Sequence, residues 1–181
     1  MDYLEAIVTL NNMVSEDFCK KIIKFSEKNC NEYLHVGTEK IYNKEIRNVL
    51  GYYLDFKKDE LIFKEIREEI ERARKLYEAK FPHLTLSKIN QIDLLKYEKG
   101  GKFDCHVDTS TDPTRILSVI FNLNKDYEGG DLVFEDQKNN IVKRIKLETG
   151  SVVFFPSNFM YSHGVTPVTK GTRYSIVAWL Q

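Results

Sequence analysis

The stretch Cys105-His106-Val107-Asp108-Thr109 follows the flexible run Tyr97-Glu98-Lys99-Gly100-Gly101, and its backbone decides how the rest of the chain is read. On a strand, side chains at i and i+2 share a face, so His106 and Asp108 stand side by side while Cys105 and Val107 face away. An imidazole and a carboxylate then converge on one point. An isolated triplet of this kind fits a hydrogen bond on a sheet surface, and it also fits half of a metal site. The second reading needs a third ligand from elsewhere.

The surroundings favour a strand. After Pro82, short runs rich in β-branched and aromatic residues cover 84–97, 115–123, 131–135, 141–147, 151–155 and 173–180. Turn signals separate them: Gly100-Gly101, Asp112-Pro113, Gly129-Gly130, Lys138-Asn139-Asn140 and Gly171, as a sandwich or barrel requires. Before Pro82 the period changes. Ser15 reads as a helix cap ahead of Glu16 and Asp17, with Phe18, Ile22, Ile23 and Phe25 at helical spacing. From Asp59 to about Lys80, Leu61, Ile62, Ile66, Ile70, Ala73 and Leu76 recur at three- and four-residue steps and predict a long helix. Residues 31–50 show no clean period and read as strand and loop leading to Gly51, and 36–58 reads as a mobile flap. The order predicts an α+β chain, helical support over about 1–82 and a β core over about 83–181, within a single domain.

Composition narrows the function classes. Lys+Arg and Asp+Glu both total 27, giving zero formal charge, and no basic run alternates with aromatics, so a nucleic-acid partner is not expected. The amino terminus carries acids where a signal peptide has bases, and no apolar stretch approaches the ~20 residues of a membrane span. A soluble, cytoplasmic protein without a membrane partner is the expectation. Cys19, Cys30 and Cys105 are few and scattered, which argues against a disulfide framework and fits a reducing compartment. Cys105 is expected to be a small buried residue facing away from His106.

Of the other three histidines, His35 lies in an irregular segment and His83 beside Pro82, where surface or capping roles suffice. His163 lies between two predicted strands, 55 positions after Asp108. Two imidazoles and one carboxylate on one side of an octahedral ion are the ligand set of non-haem Fe(II) oxygenases. On the last predicted strand Arg173, Ser175, Val177 and Trp179 share a face. An arginine facing into a barrel requires an anion, and its planar fork suits a carboxylate.

Together His106-Val107-Asp108, His163, Arg173 ten residues later, the 173–179 run RYSIVAW and the 124–134 run NKDYEGGDLVF resemble the 2-oxoglutarate- and Fe(II)-dependent dioxygenases of the prolyl 4-hydroxylase type. The resemblance covers roughly 88–181. It implies a double-stranded β-helix, or jelly-roll, core with N-terminal supporting helices. It implies Fe(II), 2-oxoglutarate and O2 as cofactors, with ascorbate as an accessory reductant, and a proline-containing peptide or protein as substrate. By position, His106, Asp108 and His163 resemble the iron ligands and the catalytic centre. Arg173 resembles the residue that binds the distal carboxylate of 2-oxoglutarate, with Tyr97 and Ser175 beside it. Arg47, Arg115 and Trp179 fall near positions that face substrate, although a surface ion pair accounts for the two arginines equally well. One departure is Asn122, where some relatives carry a second tyrosine against the cosubstrate. Three alternatives stay open: a hydroxylase of free amino acids or other small molecules, a non-catalytic metal-binding barrel, and a nucleic-acid demethylase. The last usually has a second arginine soon after the first, and this chain has none after Arg173.

Overall fold

A computed structural model describes residues 2–36, 41–110 and 114–181. Gly37 of the expected flap and the Asp112-Pro113 turn lie outside the described residues. Among the described residues there are two α-helices, α1 (Glu16–Asn29) and α2 (Glu60–Lys80). The strands in chain order are β1 (Val8–Leu10), β2 (Glu32–Tyr33), β3 (Arg47–Asn48), β4 (Leu50–Tyr53), β5 (Ile89–Tyr97), β6 (Lys102–His106) and β7 (Leu117–Asn122). They continue with β8 (Glu128–Gly129), β9 (Leu132–Glu135), β10 (Ile141–Ile145), β11 (Val152–Pro156), β12 (Ser162–Val165), β13 (Val168–Lys170) and β14 (Arg173–Leu180).

A seven-stranded sheet runs β1-β11-β7-β14-β5-β4-β2, a five-stranded sheet runs β10-β9-β12-β6-β3, and β8 pairs with β13 as a short ribbon. The pairing is antiparallel throughout. The larger sheet is buried on both sides, and its central strands therefore read as continuous apolar runs rather than alternating ones. On its outer side Ile92, Leu94, Val119, Phe121, Val152, Phe154, Ile176 and Ala178 pack with Cys19 and Ile22 of α1 and with Ile66, Ile70, Ala73 and Tyr77 of α2. On its inner side Leu95, Tyr97, Ile120, Val153, Phe155, Val177 and Trp179 meet Leu132, Phe134 and Val165 of the smaller sheet.

The helices begin and face inward for local reasons. The Ser15 hydroxyl accepts the Phe18 amide at 3.1 Å, occupying a donor that the first turn leaves free, and Glu16 and Asp17 face the positive helix end. The stripe Ile66, Ile70, Ala73 and Tyr77 recurs at helical spacing, so one face of α2 is buried and the rest is charged. Neither helix is long and apolar enough to cross a membrane.

Three details differ from the sequence reading. The strand through the opening stretch ends at His106, so Asp108 lies just beyond it. His163 lies inside β12 rather than between strands. Part of the segment expected to be a flap is strand: β3 pairs with β6 and β4 with β5, tying it into both sheets. A short strand at an edge carries too few residues to show a period of two.

Candidate active site

Antiparallel pairing of β12 with β6 sets His163 directly opposite His106, and Asp108 comes back toward both from just past the end of β6. One ligand atom from each of the three lies within 4.8 Å of the others. His106 Nε2 is 3.5 Å from Asp108 Oδ1, and His163 Nε2 is 3.4 Å from Asp108 Oδ2. Each imidazole is held from behind: Nδ1 of His106 lies 2.9 Å from the Asp104 carbonyl, and Nδ1 of His163 lies 3.0 Å from that of Tyr161. A carbonyl only accepts, so both Nδ1 atoms carry hydrogen and both Nε2 lone pairs point at the carboxylate. Two lone pairs facing an anion repel it unless a cation sits between them, and this donor set suits Fe(II).

Burial and neighbours complete the electrostatics. Burial pushes the His163 imidazole down to about 4 against the pull of Asp108, so it is a neutral ligand at neutral pH. Burial alone would raise the Asp108 carboxyl. His163, His106 and the donated Ser118 hydroxyl outweigh it and hold the group well below the usual carboxylate range. Ser118 Oγ donates to Asp108 Oδ2 at 2.6 Å and contacts Ser157 Oγ at 2.8 Å. Phe103 stacks on the His106 ring at 3.7 Å, and Phe155 lies 4.5 Å from that of His163. His106 is the open side of the group, with its side chain 28% exposed against 5% for Asp108. Cys105 is half-buried and outside the cluster. His83 is exposed, and the His35 ring packs on Tyr42 at 4.1 Å.

Deeper in the same lumen, Arg173 is 1% exposed and its Nε and Nη2 have no hydrogen-bond partner among the described residues. Its Nη1 reaches Ser175 Oγ at 3.5 Å, and its guanidinium lies 5.1 Å from the Tyr97 ring centre. A buried guanidinium with two unmet donors is costly to leave so, and a bidentate carboxylate meets both. Gly130, at φ +64°, makes room: a Cβ there would lie 3.1 Å from Arg173 Cδ and 3.1 Å from the Tyr127 ring. Asn122 proves to be a staple. Its Nδ2 donates to the carbonyls of Asn124, Leu147 and Glu148 at 2.5, 3.2 and 3.3 Å, while its Oδ1 accepts the Tyr127 hydroxyl at 3.1 Å. Tyr127 therefore places a buried phenol beside the Arg173 stem, in an irregular stretch where no periodicity points to it.

The mouth carries the remaining expected residues. The Arg115 guanidinium stacks 3.8 Å over Trp179, and its Nη2 donates to Gln91 Oε1 at 3.4 Å. Arg47, from β3, donates to the His35 carbonyl at 2.8 Å and covers Phe103 at 4.5 Å. Among the described residues neither arginine is in a surface ion pair. Exposed apolar side chains beside these groups in the chain, Ile46, Tyr53, Val107 and Ile116, are between 37% and 48% exposed. Sequence reading missed Phe103 and Ser118, which cross-strand register brings to the site, the same-strand pair Gln91 and Asp93, whose burial no local pattern marks, and Tyr127 in its irregular stretch.

Comparison with known proteins agrees with this geometry. Residues 92–181 match the model of the 2OG-Fe(II) oxygenase superfamily. A PKHD-type hydroxylase of Pseudomonas fluorescens is 35% identical over 95 residues, which cover 47% of this chain and 40% of that protein. One from Aliarcobacter butzleri is 36% identical over 98 residues, covering 48% and 41%. The chain thus spans about two fifths of the length of these curated relatives. Among solved structures, a Trichoplax adhaerens prolyl hydroxylase in complex with a hypoxia inducible factor peptide superposes with a TM-score of 0.77 at 16% identity, covering 99% of this chain and 86% of that one. A Pseudomonas putida prolyl-4-hydroxylase gives 0.77 at 18%, covering 99% and 96%. These two likenesses establish the jelly-roll fold. By the matched family model, residues 92–181 of the chain belong to the 2OG-Fe(II) oxygenase superfamily.

Proposed function

We propose that this chain, acting as one domain over 1–181, is an Fe(II)- and 2-oxoglutarate-dependent hydroxylase of a prolyl residue in a peptide or protein. The observation that carries the cofactor assignment is Arg173, a buried guanidinium with two unmet donors in the lumen that His106, Asp108 and His163 enter. In this reading His106, Asp108 and His163 would hold Fe(II), and Arg173 would fix the distal carboxylate of 2-oxoglutarate with Ser175 and Tyr97 supporting it. When bound, Fe(II) with 2-oxoglutarate and O2 supplies the oxidant: one oxygen atom enters a substrate C–H bond and the other enters succinate as CO2 leaves. The protein's share is orientation and dryness. The backbone carbonyls of Asp104 and Tyr161 fix both imidazole tautomers, Ser118 orients the carboxylate, and Phe103, Phe134 and Phe155 exclude water.

The prolyl assignment is supported by the fold shared with prolyl hydroxylases and by the open mouth on the His106 side. That mouth, with Arg47, Arg115, Trp179 and an apolar rim, suits an extended chain better than an enclosed small molecule. Proline's fixed φ lowers the ordering cost of such binding. The test is reconstitution of anaerobically purified protein with Fe(II), 2-oxoglutarate and O2. Proline peptides are compared with alanine counterparts and free amino acids by succinate formation and by mass gain of one oxygen. Hydroxylation of proline peptides alone is expected. Succinate formed only with free amino acids overturns the peptide assignment and keeps the oxygenase one.

A further inference from the structure

Asp93 is a carboxyl where the fold has no structural use for one. Along β5, Ile92 and Leu94 point to the helices while Asp93 alternates with Leu95 and Tyr97 on the lumen side. Register places it beside Val177 on one flank and Tyr53 on the other. It sits one row from Trp179, which pairs with Ser118, the serine that touches Asp108, and with Gln91. It is 2% exposed, and no basic nitrogen of the described residues lies within 4.0 Å of it. Gln91 Nε2 donates to its Oδ1 at 2.7 Å, and the same amide accepts from Arg115 through Oε1. An ion held this way, out of water and without a counter-ion, is costly. Burial accordingly pushes the Asp93 carboxyl up to about 7.

The demands of the neighbours are complementary. Among the described residues, Nε of Arg47 and Nε of Arg115 are both buried without an acceptor, and so is the Trp179 indole N–H. The wall therefore offers donors from two guanidiniums and an indole beside one acceptor carboxyl. A cationic substrate nitrogen gains from Asp93 but meets both guanidiniums, whereas a neutral N–H next to a C=O answers both kinds of demand without adding charge. A peptide unit is such a pair.

We propose that Asp93 is a specificity-determining residue that accepts the N–H of a substrate backbone amide flanking the oxidised residue, while Arg115 donates to the adjoining carbonyl. The inference rests on the reading of this chain as a peptide hydroxylase, and it predicts that the substrate is selected at a bond rather than at a side chain. Leaving one partner of such a buried hydrogen bond unmet costs about tenfold to hundredfold in kcat/KM.

The experiment is a double-mutant cycle between protein and peptide. Wild type, Asp93→Asn and Asp93→Leu are compared on a set of peptides with one proline, N-methylated in turn at each backbone amide flanking it. At one position N-methylation should lower wild-type kcat/KM by about tenfold or more. Asp93→Leu should lose as much on the unmethylated peptide and nothing further on the methylated one. Asp93→Asn, which keeps an acceptor oxygen and the fold's packing, should recover most of the loss. Additive losses at every position overturn the proposal and leave Asp93 a structural clamp for Arg115. So does the absence of any methylation effect, or of any peptide turnover. Wild-type succinate formation and the proline-to-alanine peptides are read in parallel, so failure of the hydroxylase reading is seen separately from failure of this one.

Discussion

The two faces of β14 share a backbone and differ in almost everything else. Tyr174, Ile176, Ala178 and Leu180 point toward the helices, where apolar neighbours meet every demand, and any site there is closed by packing. Arg173, Ser175, Val177 and Trp179 point into the lumen, where buried donors of Arg173 and Trp179 lack partners among the described residues. One residue in two is thus used to hold the sheet, and the alternate ones are kept unsatisfied at some cost to stability. Function in this fold is carried by the face that packs worst.

The largest effect should come from the lumen face at its mouth. Asp108→Ala removes the anion between two imidazole lone pairs, so Fe(II) binding and succinate formation should both be abolished, with the circular dichroism of the fold retained. Iron content by metal analysis and succinate by NMR check it; wild-type iron content in the variant would break the site assignment.

Asp93 sharpens the contrast through pH. Its carboxyl is raised to about 7 by burial, with Gln91, Arg47 and Arg115 opposing the rise and Asp108 reinforcing it, and it lies beside Tyr53. Because the folded state binds this proton more tightly than the unfolded chain, stability falls as pH rises from about 4 through 7. The loss is on the order of 3 to 4 kcal/mol. Asp93→Asn should therefore unfold at higher denaturant than wild type at pH 8, and the gap should close at pH 5. An equal gap at both would mean that the group is not held protonated.

The helix-facing side gives the opposite kind of result. Ile176→Ala leaves a cavity between β14 and the helices and should cost about 2–5 kcal/mol in urea unfolding while the 2-oxoglutarate requirement stays at wild type. Arg173→Ala, one face over, should raise that requirement about a hundredfold, since a charge-assisted bidentate pair is lost, with little change in the unfolding midpoint. A large change in both quantities for either variant would erase the division between the faces.

How much of this the sequence disclosed follows the same division. The convergence of His106, Asp108 and His163 and the inward placement of Arg173 were legible because an i, i+2 pair, a third histidine in the β region and a charged residue in an apolar strand are local patterns. The two helices were legible because a cap and a long apolar period mark them. Strands β3, β6 and β12 were misjudged or missed, since strands of two to five residues carry no period, and β12 is broken by Gly164. Ser118 and His163 reach Asp108, and Val177 and Tyr53 flank Asp93, from distant segments, and register between distant segments leaves no trace along the chain. Asn122 stands in the sequence as a departure, where some relatives carry a second tyrosine, and the structure shows it as a backbone staple that accepts the Tyr127 hydroxyl.

That pair supplies the smallest and most specific expectation. Tyr127→Phe keeps the ring that packs near Gly130 and Arg173 and deletes only the hydroxyl that Asn122 Oδ1 accepts at 3.1 Å. A buried neutral hydrogen bond is worth about 0.5–1.5 kcal/mol, and Asn122 keeps its three carbonyl contacts, so the unfolding midpoint should move little. If the phenol only braces the strand, 2-oxoglutarate half-saturation should be unchanged. If it also serves the lumen beside Arg173, half-saturation should rise by roughly threefold to tenfold, the same energy read at the site instead of in the fold. Combining Tyr127→Phe with Arg173→Ala decides between them. Effects that fail to add place the hydroxyl on the unsatisfied face of the molecule, and strictly additive effects return it to the packed one.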